Sequence, residues 1–411
     1  MSKRVLLLLS QLPLDPSSGA ARTMMSIAGA LAKRGFDVRS LSSSAMEAAN
    51  PPKALPMLRE LGIDVDVDRR PAAGQGCAAW RFLHKGVKCE VMDTGRLSVR
   101  EFDFPHGQQF SRMLSQALEE FKPEVVFTFG GTPTEQGRRE LARQSGAAVV
   151  FVLQNLAYQH PLAFDQVDAV ISPSAFLRGK YVQSIGLEST VIPPMIDPEE
   201  AVAATHDPRV FTFVNPTPNE GVYFFVRLAE QLALKRPDIG LRVIEARGSG
   251  DHARLAASHG ALEIKAKGTL RIDSVRYRPS RIYETARAIL MPVAWQEPWG
   301  RVGVEAQLNG VPVLTCDRGG VREALGDGAI YLPLPEGFSP ETVLPVDAEA
   351  VAPWIEVIER LADDEAYRNE ANARSAEAGK RYDALAVGDR YAEFFAGVTR
   401  QERPLVSMAS E

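Results

Sequence analysis

The sequence predicts an α/β protein built from two doubly wound domains that face one another across a cleft. Three observations carry this. Short apolar runs of strand length alternate with helix-periodic segments along most of the chain. The alternation falls into two series, separated by a proline-bearing linker from Pro193 to Asp207. The chain has 411 residues, 45% apolar and 24% charged, which is enough for two packed cores. Strands that alternate with helices form parallel sheets covered on both faces, and their ligands bind at the carboxyl ends of the strands.

The first series opens with Val5 to Leu9, a continuous apolar run of the kind a doubly covered strand shows. A loop rich in Pro, Ser and Gly follows, from Pro13 to Gly19. Ala20 to Arg34 then places Met24, Ile27, Ala28 and Leu31 on one helical face, and Gly35 ends it. Phe36 to Leu41 reads as the next strand. A helix ends at Leu61, and Ile63 to Val67 alternates as a strand does. Arg69 to Asp93 reads as an irregular loop. Helices are expected at 110–121, 134–143 and 175–185, and strands at 125–129, 148–153, 169–171 and 190–192.

The second series begins with a strand at Val210 to Val214 and a helix at Val222 to Lys235. Strands are expected at 241–245, 288–292 and 313–316, and helices at 281–286 and 302–308. Residues from Ala352 onward read as helical. The domains implied are 1–198 and 208–383, both Rossmann-like, with 384–411 as a final helix and tail.

Composition excludes several classes. A net charge of -5 gives no reason to expect nucleic acid as a partner. Three cysteines, Cys77, Cys89 and Cys316, make neither a disulfide framework nor a CxxC zinc pair. The six histidines show no metal-ligand spacing, so no metal site is expected. No apolar run approaches the ~20 residues of a membrane span. A cytoplasmic location is the expectation.

Chemistry concentrates in Glu297-Pro298-Trp299-Gly300-Arg301-Val302-Gly303-Val304-Glu305, between a strand and a helix. Gly300 lets a ligand approach the backbone. The N–H groups that open the following helix favour a phosphate. Glu305 is suited to a pair of ribose hydroxyls, and Glu297 to sugar hydroxyls. Trp299 either stacks on a ligand or packs into the core. Each acid alone reads more readily as a helix-dipole feature, so the case rests on the whole segment.

That segment resembles the retaining glycosyltransferases of family 4. The resemblance lies in the E-x7-E spacing of Glu297 and Glu305, in Gly310-Val311-Pro312-Val313, and in Gly319-Gly320-x-x-Glu323. Lys33 to Val38, Ser172-Pro173-Ser174 and Val191 to Asp197 extend it into the first series. It implies the two-Rossmann GT-B architecture, an acceptor-binding first domain, a donor-binding second domain, and a final helix, over Arg390 to Val398, that crosses back to the first domain. It also implies that Glu305 binds the donor ribose and Glu297 the transferred sugar. The backbone of Pro298 to Arg301 would then meet sugar and phosphate, with Gly19 lining the phosphate side. The co-substrate would be a nucleotide-sugar, a UDP- or GDP-sugar above all, with no tightly bound cofactor. Retention of configuration would follow, with the leaving diphosphate helping to deprotonate the acceptor.

Two departures stand out. Relatives carry an Arg and a Lys in the loop read here as Val214 to Gly221. Asn215 and Glu220 occupy those positions. Arg247, Arg301 and Arg318 are candidate substitute cations. Relatives also often carry a His where Gln154 and Asn155 stand, residues that can bond a hydroxyl but not carry a proton. Asp64-Val65-Asp66-Val67-Asp68 contains a D-x-D, but its alternation reads as an edge strand. Gly248-Ser249-Gly250 reads as a β–α turn.

The reading is a retaining glycosyltransferase with an unidentified acceptor: a small molecule, a lipid-linked sugar or a protein. A non-catalytic sugar-nucleotide-binding protein, and an epimerase or phosphorylase of the same architecture, remain open.

Overall fold

The computed structural model describes residues 2–48, 50–68, 78–260, 270–275 and 277–401. The chain divides into two compact units. One holds the residues up to Met195 and the segment from Ala384 onward, the other Ile196–Asp383.

The first unit is a nine-stranded sheet. Its strands are β1 (Arg4–Leu8), β2 (Asp37–Ser43), β3 (Asp66–Asp68), β4 (Ala79–His84), β5 (Val87–Met92), β6 (Val125–Thr128), β7 (Ala148–Val152), β8 (Ala169–Ser172) and β9 (Thr190–Val191). Their order is β3-β4-β5-β2-β1-β6-β7-β8-β9, parallel except at the β3–β4 and β4–β5 pairings. Helices α1 (Gly19–Lys33), α2 (Ala54–Glu60), α3 (Asp103–Phe121), α4 (Pro133–Gln144) and α5 (Ala175–Ile185) connect it. The apolar runs of β1, β6 and β7 are buried throughout apart from Arg4, as expected of strands covered on both faces.

The second unit carries α6 (Pro198–Ala201), β10 (Val210–Val214), α7 (Val222–Lys235), β11 (Leu241–Ile244), α8 (Gly250–His259), β12 (Leu270–Asp273), α9 (Ser280–Tyr283), β13 (Ala286–Met291), α10 (Arg301–Leu308), β14 (Val313–Thr315), α11 (Val321–Leu325), β15 (Ile330–Tyr331), α12 (Ala352–Asp363) and α13 (Glu365–Gly379). Its sheet runs β12-β11-β10-β13-β14-β15, all parallel. The order reverses between β10 and β13. Such a switch point parts the two following loops and opens a crevice at the strand ends. One core, around Phe211, Phe224 and Trp354, covers one face of the sheet. Another, around Ile289, Trp299 and Val313, covers the other.

The last helix, α14 (Ala384–Gly397), belongs to the first unit. Phe395 meets Phe127 of β6 edge-on at 5.2 Å between ring centres. Arg34, at the end of α1, bonds Asp389 Oδ1 and the Leu385 carbonyl, both at 2.7 Å. Tyr391 Oη donates to the Pro193 carbonyl at 3.1 Å. Covered by the sheet and by α14, α1 is buried from Ala21 to Leu31, beyond the one face its pattern marks.

Several expectations need correction. Residues 69–77 lie outside the described residues. The rest of the expected irregular loop, 78–93, contains the antiparallel hairpin β4–β5. Trp80, Phe82, Cys89 and Val91 are buried, so one face of that hairpin is apolar. Its turn, Lys85-Gly86, has positive φ at both positions (50° and 79°), as tight hairpins require. The stretch read as a linker holds α6, capped by Asp197 Oδ1 on the Glu199 N–H at 3.0 Å. The D-x-D aspartates Asp66 and Asp68 do lie on an edge strand, where Asp68 meets Arg81 at 3.5 Å.

Candidate functional site

Three loops leave the carboxyl ends of β10, β11 and β13, next to the switch point. The β13–α10 loop is the segment singled out by sequence. Gly300 caps α10 in the left-handed region, at φ 101°. The Glu297 carboxylate is fastened at both oxygens: Trp295 Nε1 donates to Oε2 at 2.8 Å and the Gly300 N–H to Oε1 at 3.0 Å. Its backbone carbonyl accepts from the Gly320 N–H at 2.7 Å. A Cβ on Gly319 would stand 2.2 Å from that same carbonyl oxygen, so the approach requires glycine there. Gly319 and Gly320 thus hold the Glu297 backbone in place.

Glu305 is 4% exposed on α10. Arg301 Nε donates to its Oε1 at 2.7 Å and Tyr283 Oη to its Oε2 at 2.9 Å. Each carboxylate oxygen keeps a second lone pair for a further donor. Trp299 is buried, packed among Val304, Val313 and their neighbours, with its ring 6.2 Å from that of Tyr382. It is a core residue of this unit. Pro298 beside it is also buried.

The β10–α7 loop approaches from the other side of the switch point. Gly221 caps α7 at φ 86°, and a Cβ there would lie 2.0 Å from the Pro292 carbonyl oxygen. The Ala294 N–H bonds the Asn219 carbonyl at 2.8 Å, joining this loop to the one after β13. Asn215, left-handed at φ 63°, accepts the Gly248 N–H at 2.9 Å and donates Nδ2 to Glu220 Oε1 at 3.2 Å. Arg247, on the β11–α8 loop, stands 3.7 Å from the same Glu220 oxygen.

Glu220 faces this cluster. Burial first, then repulsion from Glu297, push its carboxyl up to about 7, against the pull of Arg247 and Asn215. Glu297 is raised as well, chiefly by burial. Its bonds from Trp295, the Trp299 and Gly300 N–H groups, and the charge of Arg247, oppose the rise. Of the candidate substitute cations, Arg301 pairs with Glu305, Arg318 donates to the Ala294 carbonyl at 2.6 Å, and Arg247 faces the two acids.

Ten of the residues named from sequence therefore gather on the loops after β10, β11, β13 and β14 and on the opening turns of α10: Asn215, Arg247, Glu297 to Arg301, Glu305, Gly319 and Gly320. The other three belong to the first unit. Gly19 opens α1, exposed, beside the cap Ser18, whose Oγ accepts the Ala21 N–H at 3.2 Å. Gln154 and Asn155 follow β7. Asn155 Oδ1 accepts the Ala157 N–H at 2.9 Å, and its carbonyl accepts Tyr181 Oη at 2.8 Å. Tyr283 was not among the sequence candidates. It meets Glu305 from 22 residues away, and no local pattern marks it. Among the described residues, no three His, Cys, Asp or Glu side chains gather as metal ligands.

Residues 17–200 match the family model "Glycosyltransferase Family 4", and residues 197–380 match "Glycosyl transferases group 1". Both models are of glycosyltransferases, together they span residues 17–380, and the fold is that of the GT-B glycosyltransferases. A D-inositol 3-phosphate glycosyltransferase of Arthrobacter sp. (strain FB24) is 29% identical over 168 residues, 38% of this chain and 35% of that one. One of Corynebacterium glutamicum (strain R) is 30% identical over 166 residues, 39% of this chain and 36% of that one. The match thus spans about a third of the length of these curated relatives. The glycosyltransferase fold is shared with Anabaena Alr3699/HepE in complex with UDP-glucose: TM-score 0.64, 16% identity, 96% of this chain and 100% of that one. It is shared also with WaaG, a glycosyltransferase involved in lipopolysaccharide biosynthesis: TM-score 0.60, 16% identity, 96% and 100% coverage.

Proposed function

We propose that this glycosyltransferase binds a nucleotide-sugar in its second unit and transfers the sugar with retention to a small phosphorylated polyol. The observation that carries the donor reading is the pair Glu297 and Glu305, both fixed in place on either side of the α10 N-terminus. Glu305 retains acceptor capacity for ribose hydroxyls, and the helix N-terminus favours a phosphate. Glu297, anchored at both oxygens, suits hydroxyls of the transferred sugar. The relatives named for D-inositol 3-phosphate support the acceptor class. Neighbours of the same fold were solved with UDP-glucose and with ADP, which supports a nucleoside diphosphate as leaving group.

In this reading the bond from the anomeric carbon to the diphosphate breaks as the bond to the acceptor oxygen forms on the same face. The acceptor proton passes to the leaving diphosphate. No resident cofactor takes part. A second reading, binding without turnover, is favoured by Glu220, an acid that faces the site rather than turning from it.

The test is calorimetric titration with UDP-, GDP-, ADP- and TDP-sugars, on the wild type and Glu305→Ala. Saturable binding of one donor, weakened at least about tenfold in the variant by loss of two ribose bonds, is expected. Absence of binding to every donor would sink the reading. With the donor known, turnover with inositol phosphates and the anomer of the product, read by NMR, separates transfer from binding alone.

A further inference from the structure

A diphosphate at the β10–β13 switch point must be met by positive charge, because two acids already face that point. Glu220 comes from the β10–α7 loop and Glu297 from the β13–α10 loop, and each raises the cost of bringing in an anion. The guanidinium of Arg301 is engaged by Glu305 at 2.7 Å, and that of Arg318 by the Ala294 carbonyl at 2.6 Å. Arg247 is paired as well, with Glu220 at the longer distance of 3.7 Å. It stands on a third loop, after β11, and its charge acts on both Glu220 and Glu297. Its side chain is 43% exposed, so a ligand can reach it.

How Arg247 is placed matters more than its presence. Asn215 Oδ1 accepts the N–H of Gly248, the residue directly after Arg247, at 2.9 Å. Asn215 makes that bond from the left-handed region, φ 63°, which Asn tolerates better than most side chains. A Cβ on Gly248 would lie 2.5 Å from the Pro216 carbonyl oxygen, so the two loops touch at backbone distance. Glu220 then holds the guanidinium at 3.7 Å and is itself held by Asn215 Nδ2 at 3.2 Å. Asn215 fixes the backbone beneath Arg247, and Glu220 orients its tip.

We infer that Arg247 is the cation that binds the donor diphosphate, and that Asn215 and Glu220 are positioning residues that cradle it. The inference rests on the proposed nucleotide-sugar reading. Charge is supplied to the phosphates from the β11–α8 loop, while the β10–α7 loop acts as its support. On arrival of the diphosphate, Arg247 exchanges its 3.7 Å contact with Glu220 for a charge-assisted bond to a phosphate oxygen.

The experiment compares the cognate nucleoside diphosphate with the bare nucleoside, the latter followed by NMR, on the full chain. Arg247→Ala should weaken the diphosphate roughly ten- to hundredfold, as expected for a bond to a charged group, and leave the nucleoside unchanged. Arg247→Lys should restore part of the loss. Asn215→Ala should also weaken only the diphosphate, and should have no further effect in the Arg247→Ala background. A purely structural role for Asn215 would weaken both ligands and add to the Arg247 effect. Unchanged diphosphate affinity in Arg247→Ala, with the wild type binding normally, overturns this inference alone. A wild type that binds no nucleoside diphosphate overturns the nucleotide-sugar reading with it.

Discussion

Glu220 makes its own ionisation a variable that an anionic ligand senses. Burial and Glu297 push its carboxyl up to about 7, with Arg247 and Asn215 pulling the other way. Below that value it is protonated and does not repel a diphosphate; above it the charge is present. Nucleotide-sugar affinity is therefore expected to fall as pH rises through about 7. Titrations at pH 6 and 8 in buffers of different ionisation heat would show tighter binding at pH 6 and net proton uptake on binding at pH 8. Glu220→Gln should flatten the profile, and a flat profile in the wild type would refute the assignment. Much of this site was legible residue by residue. The spacing of Glu297 and Glu305 marked both acids, and the odd residues at 215 and 220 were visible as departures. Arg247 was one candidate among three, because sequence does not say which side chain a loop aims at a crevice. Tyr283 was invisible, since its partner Glu305 lies a strand and a loop away.

Elements meet the site through backbone contacts that tolerate no side chain. Gly221 and Gly35 share φ 86°, yet a Cβ at Gly221 would strike the Pro292 carbonyl at 2.0 Å while one at Gly35 meets nothing within 4 Å. Gly35→Ala should cost only the backbone preference, about 1–2 kcal/mol. Gly221→Ala adds a displacement of the loops after β10 and β13, and should lose more stability in urea titration and lose donor affinity as well. Equal losses in the two variants would mean the loops accommodate the methyl group. The parallel strands are readable because strands covered on both faces leave continuous apolar runs, as in β1, β6 and β7. The β4–β5 hairpin was missed because it follows a stretch rich in Gly, Ala and Pro, and because its half-covered strands spread their apolar residues. β12 and β15, at the edges of the second sheet, have too few buried residues to stand out. β2 runs on to Ser43 through two buried serines, Ser42 and Ser43, and polar residues at strand ends read as loop.

At the scale of the whole molecule, each unit has its own cores, so their stabilities should be separable. Phe395→Ala removes the ring that packs on Phe127, and large-to-small core changes of this kind cost about 3–5 kcal/mol. Hydrogen exchange should rise in β1 and β6 and stay unchanged in β10 and β13. Exchange rising equally in both units would show that they unfold together. Two alternating series make the two sheets legible; the return of the last helix to the first domain is implied by the family resemblance alone. Periodicity tells that a helix has an apolar face, never which surface receives it. That surface has a consequence for synthesis. The strands of the first unit leave the ribosome early, but α14, which covers α1 and Phe127, follows only after the whole of Ile196–Asp383. At roughly 5–20 residues per second, the uncovered apolar flank of α1 waits for many seconds beside a second unit that completes itself first. The nascent chain therefore presents a sticky, half-built domain to chaperones. A permuted chain beginning with α14 should shorten that wait, giving less aggregation during translation for the same final structure.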